Sequence, residues 1–242
     1  MEEHLYKTFY EIEKKHWWFV GRQQIVGELI RQRLRLPSGS KVLDVGCGTG
    51  SILEMLSREH EAYGTDTSPI AIELCGQRGL KNAHQCSLDS FPYPDIRFDL
   101  ITLLDVIEHV DDDLEVLRQA HRFLSPGGAI LVTVPAYQWL WSKHDAVNQH
   151  KRRYAKTQLR GVLDAAGFRI EMLSYYNAIL FPIALVQRLA EHVVKSEKDT
   201  TLDIPPLPIN SLLLSIFSSE KYLLRRSSLP FGLSVVAIGR RG

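Results

Sequence analysis

The sequence predicts an α/β fold in which a parallel sheet is flanked by helices, and three observations predict it. Short β-rich apolar runs alternate with segments of helical period from Lys41 to about Tyr176, the pattern of strands joined by crossover helices. One run, Lys41–Val45, ends in three alternate glycines and leads straight into a helical stripe, as chains do at the carboxyl end of a parallel strand. The 242 residues are 45 % apolar and 24 % charged, enough apolar material for one large core.

Residues 1–39 precede the first strand. They hold the aromatic cluster His16-Trp17-Trp18-Phe19 and then a stripe of Ile25, Val26, Leu29 and Ile30, which predicts a helical amino-terminal cap. The core spans 40–176, with strands expected at Lys41–Val45, Ala62–Thr65, Ala83–Cys86, Phe98–Leu104, Ala129–Val134 and Arg169–Tyr175. Between them Ile52, Leu53 and Leu56 share a helical face, as do Leu114, Leu117 and Leu124. Leu159, Val162, Leu163 and Ala166 make a third. Asp111, Asp112 and Asp113 stand where the second of these helices opens. Carboxylates there meet the positive end of the helix dipole, so the run is read as a helix start and not as a metal site.

Residues 177–230 then separate the last two strands and contain Pro205-Pro206-Leu207-Pro208. Such a gap is too long for a plain loop and is expected to carry its own helices. Ile179, Ile183, Val186, Ala190 and Val193 fall on one helical face. Ile209, Leu212, Leu213, Ile216, Phe217 and Leu224 form a broader stripe, with Ser211, Ser215, Ser218 and Arg225 opposite and Lys221, Arg225 and Arg226 at its end. The last strand, Leu233–Ile238, lies within 231–242.

Bulk properties remove several classes. The net charge of +1 gives no overall field for nucleic acid. Cys47, Cys75 and Cys86 are odd in number and lack CxxC spacing, so neither a disulfide framework nor a thiolate zinc site follows. The chain opens Met1-Glu2-Glu3-His4, without the basic and apolar regions of a signal peptide, and has no uninterrupted apolar run of about 18 residues. A cytoplasmic protein is expected.

The sharpest signal is Asp44-Val45-Gly46-Cys47-Gly48-Thr49-Gly50. Glycines at the end of a strand let the backbone turn sharply and approach a ligand closely. A dinucleotide loop wants G-x-G-x-x-G, but Ser51 stands where its third glycine belongs, and no Lys-Ser/Thr pair follows as a phosphate loop requires. Gly64-Thr65-Asp66 ends the next strand on an acid placed to accept hydrogen bonds from both hydroxyls of a ribose. Ser87-Leu88-Asp89 follows the third, where an adenine amino group could be read.

Together with Leu103–Val110 and Leu124-Ser125-Pro126-Gly127-Gly128, these segments resemble the class I S-adenosylmethionine-dependent methyltransferases from Val42 through Pro135. The resemblance implies a Rossmann-like, seven-stranded, mostly parallel sheet with an antiparallel last strand. It implies S-adenosyl-L-methionine as cofactor and S-adenosyl-L-homocysteine as product. Gly46, Cys47, Gly48 and Gly50 would shape the methionine-side pocket, and Asp44 would face the ammonium group. Asp66 with Thr67 would hold the ribose, and Leu88 with Asp89 the adenine. The leader resembles the cap of quinone-pathway and related small-molecule methyltransferases. There Trp18 would close over the cofactor and Arg22 would meet its carboxylate, a lid that excludes water; packing alone is the other reading of these aromatics.

For the acceptor, Asp105-Val106-Ile107-Glu108-His109 resembles the acidic-x-x-Glu-His segment of quinone-biosynthesis O-methyltransferases. A divalent cation on Asp105, Glu108 and His109 is a candidate but is not expected. The loop after the fifth strand carries Trp141, His144, His150, Arg152, Arg153 and Tyr154. His109, His144 and His150 are candidate bases for a hydroxyl acceptor. Arg152 and Arg153 are candidates to clamp a carboxylate or phosphate, with Trp141 and Tyr154 beside the acceptor. The insertion allows three readings: a cap over the acceptor pocket, an interfacial helix admitting a lipid-like acceptor at the inner membrane face, or packing, including a homodimer contact. O-methylation of an amphiphilic or anionic small molecule is the leading expectation. C- or N-methylation and a non-catalytic cofactor-binding protein stand as alternatives, as does either a monomer or a homodimer.

Overall fold

The computed structural model describes residues 3–186 and 203–242. Two leader helices come first, α1 (Glu3–Ile12) and α2 (Trp17–Leu29), the latter continued by a π-turn over Ile30–Leu34. His16 caps α2, its ring nitrogen accepting from Trp18 N at 3.2 Å. The core follows as β1 (Lys41–Val45), α3 (Ser51–Leu56), β2 (Glu61–Asp66), α4 (Pro69–Gln77), β3 (Ala83–Gln85), β4 (Phe98–Leu104), α5 (Asp113–Phe123), β5 (Leu124–Pro135), α6 (Lys143–Val147), α7 (Lys156–Ala165) and β6 (Phe168–Tyr176). Helix α8 (Leu207–Leu224) precedes β7 (Ser234–Arg241).

The seven strands lie in the order β3-β2-β1-β4-β5-β7-β6. β1 through β5 pair in parallel, and β7 is inserted antiparallel between β5 and β6. The order reverses between β1 and β4, so a crevice opens outside their carboxyl ends, where open α/β sheets bind ligands. Central strands are buried on both faces, which is why Phe98–Leu104 and Ala129–Val134 read as continuous apolar runs.

One local expectation is corrected and another is extended. Leu124 does not continue the face of α5: it leaves the helix with extended dihedrals and begins β5, paired to Phe98. The leader carries α1 as well as the expected stripe. Ala190 and Val193 of the insertion stripe lie outside the described residues. Asp112, by contrast, caps α5 by accepting from Glu115 N at 2.9 Å. No described helix is long and apolar enough to cross a membrane.

The leader and the insertion pack on each other. Ile25, Val26 and Leu29 of α2 and Ile30 of the π-turn share a buried cluster with Phe217 and Leu224 of α8. A Cβ on Gly21 would fall 2.5 Å from Phe217 Cδ1, so the helices approach over a residue without a side chain. Polar ties fix the register: the Asn210 amide accepts from Trp17 N at 3.0 Å and donates to Lys15 O at 2.9 Å. Lys221 Nζ donates to Gln24 Oε1 at 2.9 Å, and Arg225 pairs with Glu28.

Candidate active site

The turn after β1 is built on positive φ, with Gly46 at 67°, Gly48 at 54° and Gly50 at 84°. A side chain at Gly46 would strike Val106, its Cβ 2.6 Å from Cγ2, whereas a Cβ at Gly48 would meet nothing within 4 Å. The loop is thus tight against Val106, just past β4, on one side and open at Gly48 on the other. Cys47 turns inward, its thiol 4.0 Å from that of Cys75, so this residue offers the open side its backbone. Asp66 closes the loop, one oxygen accepting from Gly48 N and the other from Ser68 N, both at 2.9 Å. Burial pushes its carboxyl up against these bonds, with the neighbouring Thr67 amide also opposing. Thr67 and Asp89 are exposed and Leu88 is buried, and Asp89 accepts from the Ser87 hydroxyl.

Behind the loop is a buried polar floor. Asp44 accepts from Thr102 Oγ1 at 2.6 Å. Burial raises its carboxyl to about 6, against Thr102 and the Arg22 charge and assisted by Asp66. Asp105 holds a left-handed φ of 57° at the end of β4. Its carboxylate accepts from Thr133 Oγ1 at 3.1 Å and lies 2.6 Å from Arg22 Nη2. That contact is a charge contact without hydrogen-bond alignment: Arg22 Nε and Nη2 both lack hydrogen-bond partners, as do both Glu108 oxygens and the Tyr176 hydroxyl, all buried. The Arg22 guanidinium stands 5.2 Å from the centre of the Trp18 ring. Unpaired buried polar groups are costly in a native interior. Guanidinium donors without acceptors beside two carboxylates fit the zwitterionic amino-acid end of S-adenosylmethionine.

The leader reaches the same loop through residues the sequence reading missed. Glu13 accepts from Thr49 Oγ1 at 2.6 Å, and Arg78 Nε donates to Thr49 O at 2.7 Å while the same guanidinium pairs with Glu13 and Glu54. Tyr6 of α1 is buried near Asp66. Burial, with the Asp66 charge adding, pushes its phenol up to about 12. No local pattern flags these contacts, because the groups are up to 65 residues apart.

Beyond the end of β5, both arginines of the candidate clamp already engage partners within the chain. Arg153 is buried and grips Asp145 with two bonds, Nε to Oδ1 at 2.7 Å and Nη2 to Oδ2 at 2.9 Å, while Nη1 donates to Ala136 O. Arg152 donates to the carbonyls of Val110 and Asp111 and pairs with Asp113. The buried Tyr154 hydroxyl donates to Asp113 Oδ2 at 2.6 Å. These groups complete internal pairs, which the desolvation of a buried guanidinium requires. Trp141 is half-buried, and Trp139 beside it is 60 % exposed. His144 sits on α6 against the Asn148 amide, at 3.2 Å from Nε2.

Asp145, absent from the sequence candidates, is the hub. Fully buried, it also accepts from Ser142 N at 2.7 Å and pairs with His150 Nδ1 at 2.9 Å. Burial alone would raise its carboxyl, but the bonds from His150 and Arg153 outweigh that and hold it well below the usual range. Its one local signature was the capping box opened by Ser142. The His150 ring meets His109 edge-on at 4.8 Å between centroids. Burial, with the nearby His150 ring adding, lowers the His109 imidazole to about 4. Glu108, His109 and His150 each bring one ligand atom to within 4.8 Å of the others. Asp105 is not part of that group, being turned to Arg22 and Thr133, so the fold gathers Glu108 and His109 of the candidate cation set with His150 rather than with Asp105.

A protein-family profile described as "Methyltransferase domain" matches residues 21–173. The mouse protein "Probable tRNA methyltransferase 9B" is 30 % identical over 159 residues, 60 % of this chain and 33 % of its own. The ubiquinone biosynthesis O-methyltransferase of Xanthomonas oryzae is 29 % identical over 113 residues, 44 % of this chain and 47 % of its own. The chain thus spans a third to about half the length of these curated relatives. A crystal structure of an S-adenosylmethionine-dependent methyltransferase from Thermotoga maritima superposes with a TM-score of 0.59 at 20 % identity, covering 99 % of this chain and all of that one. At that identity the likeness is one of fold.

Proposed function

This chain belongs to the methyltransferase-domain family, and from that premise we propose that it transfers a methyl group from S-adenosyl-L-methionine to a hydroxyl of an amphiphilic small molecule. The observation that carries the choice of a hydroxyl is the pairing of buried Asp145 with His150 beside Glu108 and His109, next to the carboxyl end of β4. A relative named for O-methylation supports it.

The cofactor supplies an already activated methyl group on a sulfonium centre. Asp66 would hold its ribose, Leu88 would pack on its adenine, Asp44 would meet its ammonium and Arg22 its carboxylate. The protein's task is then to place the acceptor oxygen in line behind the methyl carbon, which supplies about 7–11 kcal/mol when fully pre-organised. Asp145 would accept a hydrogen bond from His150 Nδ1–H, which fixes the tautomer and leaves Nε2 unprotonated to take the hydroxyl proton as the O–C bond forms. The imidazolium so formed is stabilised by Asp145 and returns its proton to solvent. Such a base contributes about 10²–10⁴-fold.

The apolar body of the acceptor is supported by the aromatic group at the ends of β5 and β6. Tyr137 stacks on Tyr175 at 5.0 Å, with Trp139, Phe181 and Phe231 around them. An apolar acceptor is met at a membrane surface, so peripheral membrane contact is part of this reading.

The test is transfer of labelled methyl groups to prenylated phenols, aromatic acids, amines and transfer RNA. We expect phenols to be methylated, H150N to lose 10²-fold or more in kcat with cofactor affinity kept, and activity to survive a chelator. Transfer to amines or RNA alone would overturn the acceptor assignment. Loss of activity in chelator, restored by a divalent ion, would put a cation on Glu108, His109 and His150 in place of the base.

A further inference from the structure

Among the described residues the outer face of α8 is apolar, uncharged and unpartnered, and it ends in cations. Leu212 is 59 % exposed and Tyr222 57 %, with Leu223 exposed beside them. Ser211 and Ser215 lie on the same exposed side. Leu207, at 79 %, and Ile209 extend the apolar surface at the amino end. The inner face is already filled by α2, so these residues are not a core awaiting closure. The helix holds one acid, Glu220, and that is fully buried, accepting from the amides of Ala178 and Ile179 at 2.7 and 2.8 Å. Its outer face therefore carries no negative charge.

At its carboxyl end the Tyr222 ring is flanked by two cations, Arg225 at 4.9 Å and Lys221 at 5.2 Å from the centroid. One turn on, a cleft of about 320 Å³ opens beside the edge strand β6, lined by Arg33, Arg160, Arg226, Ser227, Ser228 and Glu171. The three arginines come from three different segments, the π-turn, α7 and the residues after α8. Glu171 is taken by Arg169 and Arg240. Arg33 Nε donates to Leu224 O, which ties the cleft to the helix end. Neither Arg160 nor Arg226 has an acidic partner among the described residues.

We propose that the outer face of α8 and this arginine cleft together dock on an anionic lipid bilayer. The apolar residues would enter the acyl boundary, Tyr222 with its flanking cations would sit at headgroup level, and the cleft would receive anionic headgroups. An uncharged face that lacks any acid and ends in a tyrosine between cations and an unneutralised arginine cleft suits that partner. A second protein copy would meet the same three arginines without counter-charge. The inference rests on the proposed function only for the acceptor's location in lipid.

The experiment is sedimentation of the full chain with vesicles of phosphatidylglycerol in phosphatidylcholine, and with phosphatidylcholine alone, without cofactor or acceptor. We expect binding to the anionic vesicles that weakens with salt. R160Q/R226Q should weaken it about 25-fold, at about fivefold for each cation near the surface. L212S/L223S should abolish it, with an unchanged circular dichroism spectrum and unchanged transfer to a soluble acceptor. Absence of binding by folded protein, or binding undiminished in both variants, would overturn the proposal. A dimer in light scattering that L212S/L223S dissociates, without vesicle binding, would assign the face to a second copy and overturn it equally. Failure of the methyl-transfer reading would show in the acceptor assay and leave vesicle binding intact.

Discussion

Asp44 is the residue whose chemistry is most exposed to test. Its raised carboxyl takes a proton more readily in the folded chain than in the unfolded one. Its contribution to stability therefore falls as pH rises from the ordinary carboxylate range through about 6. Removing the charge should stabilise the ligand-free protein at pH 7.5. D44N is expected to raise stability by about 1–3 kcal/mol in urea melts, while the same change at pH 4 does little. Binding runs the other way. An ammonium group arriving beside Asp44 favours the carboxylate, so S-adenosylhomocysteine affinity should rise with pH up to about 6 and then level off. In D44N the affinity should be weak and that slope absent. A pH-independent affinity in the wild type, measured by calorimetry, would mean that Asp44 does not meet the ammonium.

At the scale of elements, the contact between α2 and α8 decides whether the insertion stays docked. G21A introduces a Cβ that overlaps the Phe217 ring, and overpacking of this kind costs about 1–3 kcal/mol. Alanine's better helix propensity returns up to about 1 kcal/mol. We expect a net loss of stability in G21A and its partial recovery in G21A/F217L. Additive effects in that double-mutant cycle would mean the two helices do not press on each other there. Glu220 serves the same joint from the other side, where Asn177 leaves β6 with a φ of 56° and the carboxylate gathers the amides that follow. The stripe read from 209 to 224 thus divides: Phe217 and Leu224 bind α2, while Ile209 and Leu212 face outward. Periodicity identifies a helix with an apolar face, but an all-round apolar helix looks the same whether its second face is covered or not.

For the whole molecule, non-glycine residues with left-handed φ stand near the carboxyl ends of three strands: Asp105 after β4, Tyr137 after β5 and Asn177 after β6. Such conformations cost about 1–3 kcal/mol each and gather at functional sites, and here they surround the end of the sheet where the crevice opens. Ligand binding there should stabilise the entire fold. Saturation to 100 times Kd with S-adenosylhomocysteine adds about 2.7 kcal/mol, which for a chain of this size is a rise in Tm of about 5–11 °C. D66A should abolish that rise. A rise that persists in D66A would place the ligand elsewhere.

Much of this was legible in the order of residues. The strands and helices of the core and the glycine turn follow from short-range sterics and periodicity, which act between neighbours in the chain, while the acids at Asp44 and Asp66 are picked out by the family resemblance. The internal partners of Arg152, Arg153 and Tyr154 are not legible in the sequence, because a sequence lists groups without their partners. The role of Asp145 is hidden for the same reason, though it takes Ser142, His150 and Arg153 into one buried network. Tertiary structure alone decided which charges are already paired, which buried polar atoms remain open beside Arg22 and Glu108, and which face of α8 is exposed. Pairing and desolvation depend on groups brought together from distant parts of the chain, and only the closed fold sets those distances.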